Sequence, residues 1–439
     1  MDLAAESLPA RPDAPVTEYL VRTTADRGAG SLRQAMSDAL RSGGPGRIRF
    51  DSVTGPFGEL QVIRLRSALP PVGTRLEIDG YIPDRTWRAS GVTLQATGKD
   101  RVLVVDASGE AVLRHVTLQA GRATEGGAVL NRGSLVMDSV TLLDNSADGD
   151  GGGVLNAGGH LTVVNSTFTT NTAARGGAIA STAGHLSVTN ATFAGNRASE
   201  GASLFSAATL LLRNSILANG VGGAECVNRG PLDAGSTHNL MTSSAGCGQP
   251  LLIDDPRLGP LGYYNGPTRT LPLAAASPAV NVGSNAAALD EYDRPLQWDQ
   301  RGNGDPRDAA GITDLGAFEV QSPTALRVDR ADDVDRRACS RSSGDCSLRG
   351  AWHLANARRH EPVIRFATDA GLEGGVIRLL DPLPPAEVEL LIDGTDVPGL
   401  RLQLSDCRAL SRLPVRILVT AIELLGPNGP CPVAALPGT

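Results

Sequence analysis

GGAV at Gly126, GGGV at Gly151, GGAI at Gly176 and GASL at Gly201 stand 25 residues apart in the middle of this 439-residue chain. A second mark keeps step with them: LLDN ends at Asn145, FTTN at Asn171 and FAGN at Asn196, and ILAN ending at Asn219 closes the series. A strict period means stacked, equivalent units. Twenty-five residues is too short for a paired-helix repeat and suits one turn of a parallel β-helix. Runs such as HLTVVNSTFTTN and HLSVTNATFAGN are β-branched and alternating, with no apolar stripe at helical spacing. On the Gly176 coil they predict strands over roughly 177–181, 185–190 and 192–195.

In such a solenoid each strand pairs with its equivalent one coil on, about 4.8 Å away, so residues 25 apart should touch. Phe168 is then expected on Phe193, Ile179 between Val154 and Leu204, and Val163 beneath Val188. Asn165 should lie on Asn190 and Asn171 on Asn196, their amides bonding to each other and to turn backbone. The glycine pairs fit corners that need positive φ or room for a neighbouring backbone.

Composition points the same way. With 52 Gly, 28 Pro and only 3% aromatic residues the chain is β-rich, and its length allows more than one domain. A net charge of -7 gives no basic face for nucleic acid. No apolar run approaches a membrane span, and MDLAAESLPARPDAP holds no hydrophobic signal core. Six cysteines fall into three local pairs, Cys226 with Cys247, Cys339 with Cys346 and Cys407 with Cys431. None has zinc-site spacing, so the pairs are expected to be disulfides of an exported protein.

A longer duplication spans the chain. SLRQA at Ser31 returns as SLRGA at Ser347, IRF at Ile48 as IRF at Ile364, VIRL at Val62 as VIRL at Val376, and IDG at Ile78 as IDG at Ile392. Leu32, Ala35, Met36 and Ala39 form one apolar face of a short helix, which would close the open end of a solenoid and protect its unpaired edge. The expected organisation is therefore a linker over 1–20, an N-terminal cap with the first coils over 21–105, and regular coils over 106–225. C-terminal coils and closure loops follow over 226–320, and a second cap with a truncated solenoid over 327–439.

These openings, DRGAGSLRQA and CSRSSGDCSLRGAWHLANARR, resemble the Cys-Ser-Leu-Arg-Glu-Ala domain of large bacterial surface proteins, with Gly350 standing where that pattern has Glu. NSILANG, DDPRLGPLGYYNGPTRTLPL, SPAVNVG, DQRG and TDLGAFE resemble, in order, the choice-of-anchor Q proteins. The coils resemble the GGAI and FxxN repeats of chlamydial polymorphic outer-membrane adhesins. The resemblance implies an all-β, right-handed single-stranded parallel β-helix, secreted or on the cell surface, without established chemistry.

Function is expected to be that of an adhesin or scaffold whose loops bind an extracellular polysaccharide or protein, the rod acting as a monomer without a cofactor. The competing reading is a polysaccharide lyase or glycoside hydrolase, since such enzymes need paired carboxylates or a base with charge neutralisation. Its catalytic candidates are Asp144, Asp148 and Asp150, close to a ladder of Glu125, Asp150, Arg175 and Glu200. Glu125, Asp148 and Asp150 are also the candidate calcium ligands, because stacked carboxylates repel unless a cation intervenes. His160 and His185, 25 apart, form a candidate binding pair. Trp298, Asp299 and Arg301, in EYDRPLQWDQRGNGDPRD, are candidates to bind sugar, although closure of the solenoid is the favoured role of that loop. Arg175 is the remaining binding candidate.

Overall fold

The computed structural model describes residues 16–51, 61–83, 89–264, 266–274, 276–302, 305–307, 312–320, 326–337, 339, 344–358, 363–368, 370–386, 390–406, 417–427 and 429–431. They form two compact units, 1–320 and 321–439. Both are parallel β-solenoids.

In the first unit one sheet runs coil by coil through Thr17–Val21, Gly46–Phe50, Arg75–Asp79, Glu110–Arg114, Ser134–Asp138, Val154–Val164 and Ile179–Thr189 to Ser244–Ala245. A second runs from Gln61–Leu65 through Val116–Gln119, Thr141–Leu143, Thr167–Thr169 and Thr192–Ala194 to Leu240–Met241. The interior ladders follow the sequence rule: Ile179 pairs with Val154 and with Leu204, Val163 with Val188, and Phe168 with Phe193, whose rings stack at 4.7 Å. All of these side chains are fully buried.

Two details differ from the sequence reading. The first two strands expected in the Gly176 coil are a single strand, Ile179–Thr189, bent at a register irregularity. Gly158 and Gly184 take positive φ there (92° and 81°), so the chain turns within the ladder instead of leaving it. The period also breathes between 24 and 26 residues. As a result Asn219 falls outside the asparagine series. It occupies the left-handed corner shared by Asp144, Thr170 and Gly195, and Gly220 donates its amide to the Glu225 carboxylate where a further asparagine would stand.

The corner asparagines are buried and linked: Asn145 Nδ2 donates to Asn171 Oδ1 (2.9 Å) and Asn171 Nδ2 to Asn196 Oδ1 (3.0 Å). Each also donates to a backbone carbonyl one coil back. Gly151 (φ 70°) and Gly152 show why the glycine pair repeats. A Cβ on either would lie 2.2 Å from a carbonyl, of Val154 and Gly177 respectively.

The capping helix is Leu32–Ser42, with Leu32, Ala35, Met36 and Ala39 buried and the Ser31 hydroxyl accepting from the Gln34 amide at 3.2 Å. The second unit repeats the device. Ser347 Oγ accepts from the Gly350 amide at 3.0 Å ahead of a helix over Leu348–Arg358, against which strands Leu326–Val328 and Val363–Phe366 pack. The departure at Gly350 has a steric cause, since a Cβ there would meet the Arg336 carbonyl at 1.6 Å.

Disulfides join Cys226 to Cys247 and Cys339 to Cys346. Cys407, expected to pair with Cys431, lies outside the described residues, as do residues 1–15 of the expected linker. Among the described residues no helix is long and apolar enough to cross a membrane.

Candidate functional site

The acidic ladder folds as one edge of the coils, with Asp150 bridged to Arg175 and Arg175 to Glu200. Arg175 grips both oxygens of Asp150 (Nε–Oδ1 2.8 Å, Nη2–Oδ2 2.6 Å), and Arg229 takes Glu200. The guanidinium is held above its ordinary pKa, chiefly by its hydrogen bond to Asp150. The repulsion between Glu125 and Asp150 that suggested a calcium ion is thus met by Arg175, which neutralises the buried Asp150 from the next coil. Glu125 and Asp148 point to solvent, and Asp144 sits at an exposed left-handed corner accepting from Thr170 Oγ1 at 2.6 Å. Among the described residues no group of three His, Cys, Asp or Glu could hold a metal ion.

His160 and His185 stack as the register requires, with ring centroids 4.9 Å apart. Both are exposed, and His160 is held below the usual histidine pKa by partial burial and then by the charge of His185. Among the described residues no carboxylate or cysteine joins them to form a metal group.

The loop around Trp298 packs onto the coils. Segments from 266 to 319 lie across the outer face of the second sheet. Gln300 anchors them: its Oε1 accepts from Thr167 Oγ1 at 2.6 Å, and its Nε2 donates to Thr268 Oγ1 and the Arg269 carbonyl, each at 3.0 Å. Ala317 N donates to Thr192 Oγ1 (2.9 Å) and Gly316 N to the Asn214 carbonyl (2.7 Å). Threonines that alternation sends outward are therefore buried, as at Thr141, Thr167 and Thr192.

The segment is held by a buried charge knot. Arg301 pairs with Asp299 (2.6 Å) and Asp305 (2.9 Å), and its guanidinium lies 3.8 Å from the Phe318 ring centroid. Asp299 Oδ2 also accepts the Glu319 amide at 2.8 Å, so the DQRG and TDLGAFE segments meet at one point. Asp299 and Arg301, expected to face a ligand, are fully buried side chains that fasten the overlying segment.

Burial pushes the Glu319 carboxyl up to about 8, against the pull of Arg307. Asp314 is raised for the same first reason. Folding therefore favours their protonated forms. Stability from Glu319 is fully present below its unfolded value of about 4.3 and is lost as pH rises through 8, by an amount of the order of a few kcal/mol. Thermal denaturation of the first unit from pH 6 to 9 should show a falling melting temperature that Glu319→Gln flattens. An identical slope in the variant would refute the assignment.

Between this segment and the coils lies a cleft of about 590 Å³. One wall is a corner repeated on successive coils, where His115, Ser139 and Asn165 all have left-handed φ (53°, 56°, 45°); the other carries Asp290, Glu291, Arg294 and Trp298. His115 Nδ1 is 2.8 Å from Asp79 Oδ1, and the Tyr81 ring meets the imidazole edge-on at 5.6 Å. Burial would raise Asp79, but the His115 hydrogen bond and charge hold it below the usual carboxylate range. Arg114 bridges Asp138 and Glu291 and stays charged: their fields outweigh its burial. Trp298 remains 38% exposed at the rim.

Sequence reasoning missed Asp79, Arg114 and His115. Coils outside the regular block vary in length, Asp79 and His115 being 36 residues apart, so no fixed period links them. No family model matches the chain, and no curated protein matches it.

Proposed function

We propose that this protein is a secreted or cell-surface β-helix of adhesin or scaffold type that binds an extracellular glycan or protein on its covered face. The observation that carries this reading is the cleft between the corner ladder and the overlying segment. On the regular coils, charges and amides are spent on one another, whereas here rigid strands on one side and a fastened loop on the other frame a concave, mixed polar and aromatic surface. Two disulfides suit an oxidising compartment. The resemblance of the two caps and of segment 226–319 to bacterial surface proteins supports the same location.

The His115–Asp79 pair favours a second reading, an enzyme acting on polysaccharide, because a carboxylate that orients one ring nitrogen leaves the other for acid–base work. It would shift the chemistry from Asp144, Asp148 and Asp150 to the cleft. A polysaccharide panel tests both readings on the same samples, with binding on a glycan array and product by reducing-end assay and unsaturated-uronate absorbance. Binding without product is the expected result. Product lost in His115→Ala would establish the enzyme, and silence in every channel, with no protein captured either, would refute the binding reading.

A further inference from the structure

We infer that the cleft is a subsite for an uncharged sugar residue that donates a hydroxyl or amide proton to Asn165, and that it rejects uronates and sulfated sugars. This rests on the binding reading above and gives it a ligand class.

Asn165 is 3% exposed and lines the cleft. Its Nδ2 donates to the Trp298 carbonyl at 2.9 Å, which fixes the amide orientation, since a carbonyl can accept only from the NH2 end. Its Oδ1 is left as a buried acceptor without a hydrogen-bond partner. In sequence Asn165 promised a stack on Asn190, as at the neighbouring asparagine corner, but the Asn190 amide turns to Asn214 and Asp314. A buried, unpartnered acceptor in the wall of a cavity favours a ligand that brings a donor, and penalises one that does not.

The charges decide which donor. Every guanidinium that lines the cleft is committed to a lining carboxylate: Arg114 to Asp138 and Glu291, Arg294 to Asp290, Arg301 to Asp299. Among the described residues no lining guanidinium is left to receive a ligand carboxylate or sulfate, and the lining carboxylates outnumber the guanidiniums. An anionic sugar would enter a negative field without a partner. A neutral sugar meets instead the Asn165 acceptor, the second nitrogen of His115 and the rim indole of Trp298, the mixture of aromatic surface and few convergent polar groups that a hydroxyl-rich ligand needs.

The test is calorimetric titration of the full chain with cellohexaose, chitohexaose and hexagalacturonate. At least one neutral hexamer should bind and hexagalacturonate should not. Trp298→Ala keeps the main-chain carbonyl that holds Asn165, and should weaken binding at least tenfold with the melting temperature unchanged; Asn165→Leu should weaken binding as much by removing the acceptor, and should lower the melting temperature because it also removes the donor to the Trp298 carbonyl at a left-handed φ of 45°. His185→Ala, on the regular face, should leave affinity as it was. Unchanged affinity in both cleft variants, or preferential binding of hexagalacturonate, overturns the subsite while the broader binding reading stands. If none of the three hexamers binds, the subsite is also refuted, and the glycan array and protein capture then decide the broader reading separately.

Discussion

Ile179→Asp is expected to unfold the central coils. The side chain is fully buried, with Val154 directly below and Leu204 directly above in register, so the new carboxylate has apolar partners on both sides. The lost transfer energy is about 1.5–3 kcal/mol, and an unpaired buried charge adds several more. Together these are of the order of a whole domain's stability. Because each coil of a solenoid is held mainly by its neighbours, the damage should spread from 179 in both directions. Hydrogen exchange should show lost protection over 154–213 first, and a soluble variant with an unchanged melting temperature would refute the register.

The second large effect is expected at Arg301→Met. Arg301 is buried between Asp299 and Asp305 and also donates to the Glu319 carbonyl at 2.6 Å. Removing it strands the Asp299 carboxylate, a loss of about 3–5 kcal/mol. The coils retain their own ladders, so the covering segment should loosen while the solenoid persists. Limited proteolysis should open new sites near 290–307 with little change in far-UV circular dichroism. Asp299→Leu in the same chain should restore part of the resistance, because it removes one of the two carboxylates that the loss of Arg301 leaves uncompensated, Asp305 being the other. Undiminished cleavage in the double variant would show that shape, not charge, fixes the segment.

The regular coils were the legible part of this protein. GGAV to GASL set the period, and Val154, Ile179 and Leu204 met as that period demands. The capping helix was equally plain, since the serine cap and the four apolar positions are local. The candidate site was less legible because its parts are remote in sequence. Asn165 bonds to a carbonyl 133 residues away, and Arg114 pairs with a carboxylate 177 residues away. Asp299 and Arg301 carried the right chemistry for a site, but only the fold shows that they are buried against each other.

What the sequence determined by itself was the class of fold, because a repeat fixes which residues stack and stacking needs no long-range information. What only the tertiary structure decided was which outward face is covered. Threonines at 141, 167 and 192 are as suited to water as to a partner strand or loop, and it is the Gln300 amide at the first two and the Ala317 backbone at the third, both brought from far along the chain, that bury them. Alternation tells inside from outside, but it does not say which outside remains exposed, because that depends on where a segment without periodicity comes to rest.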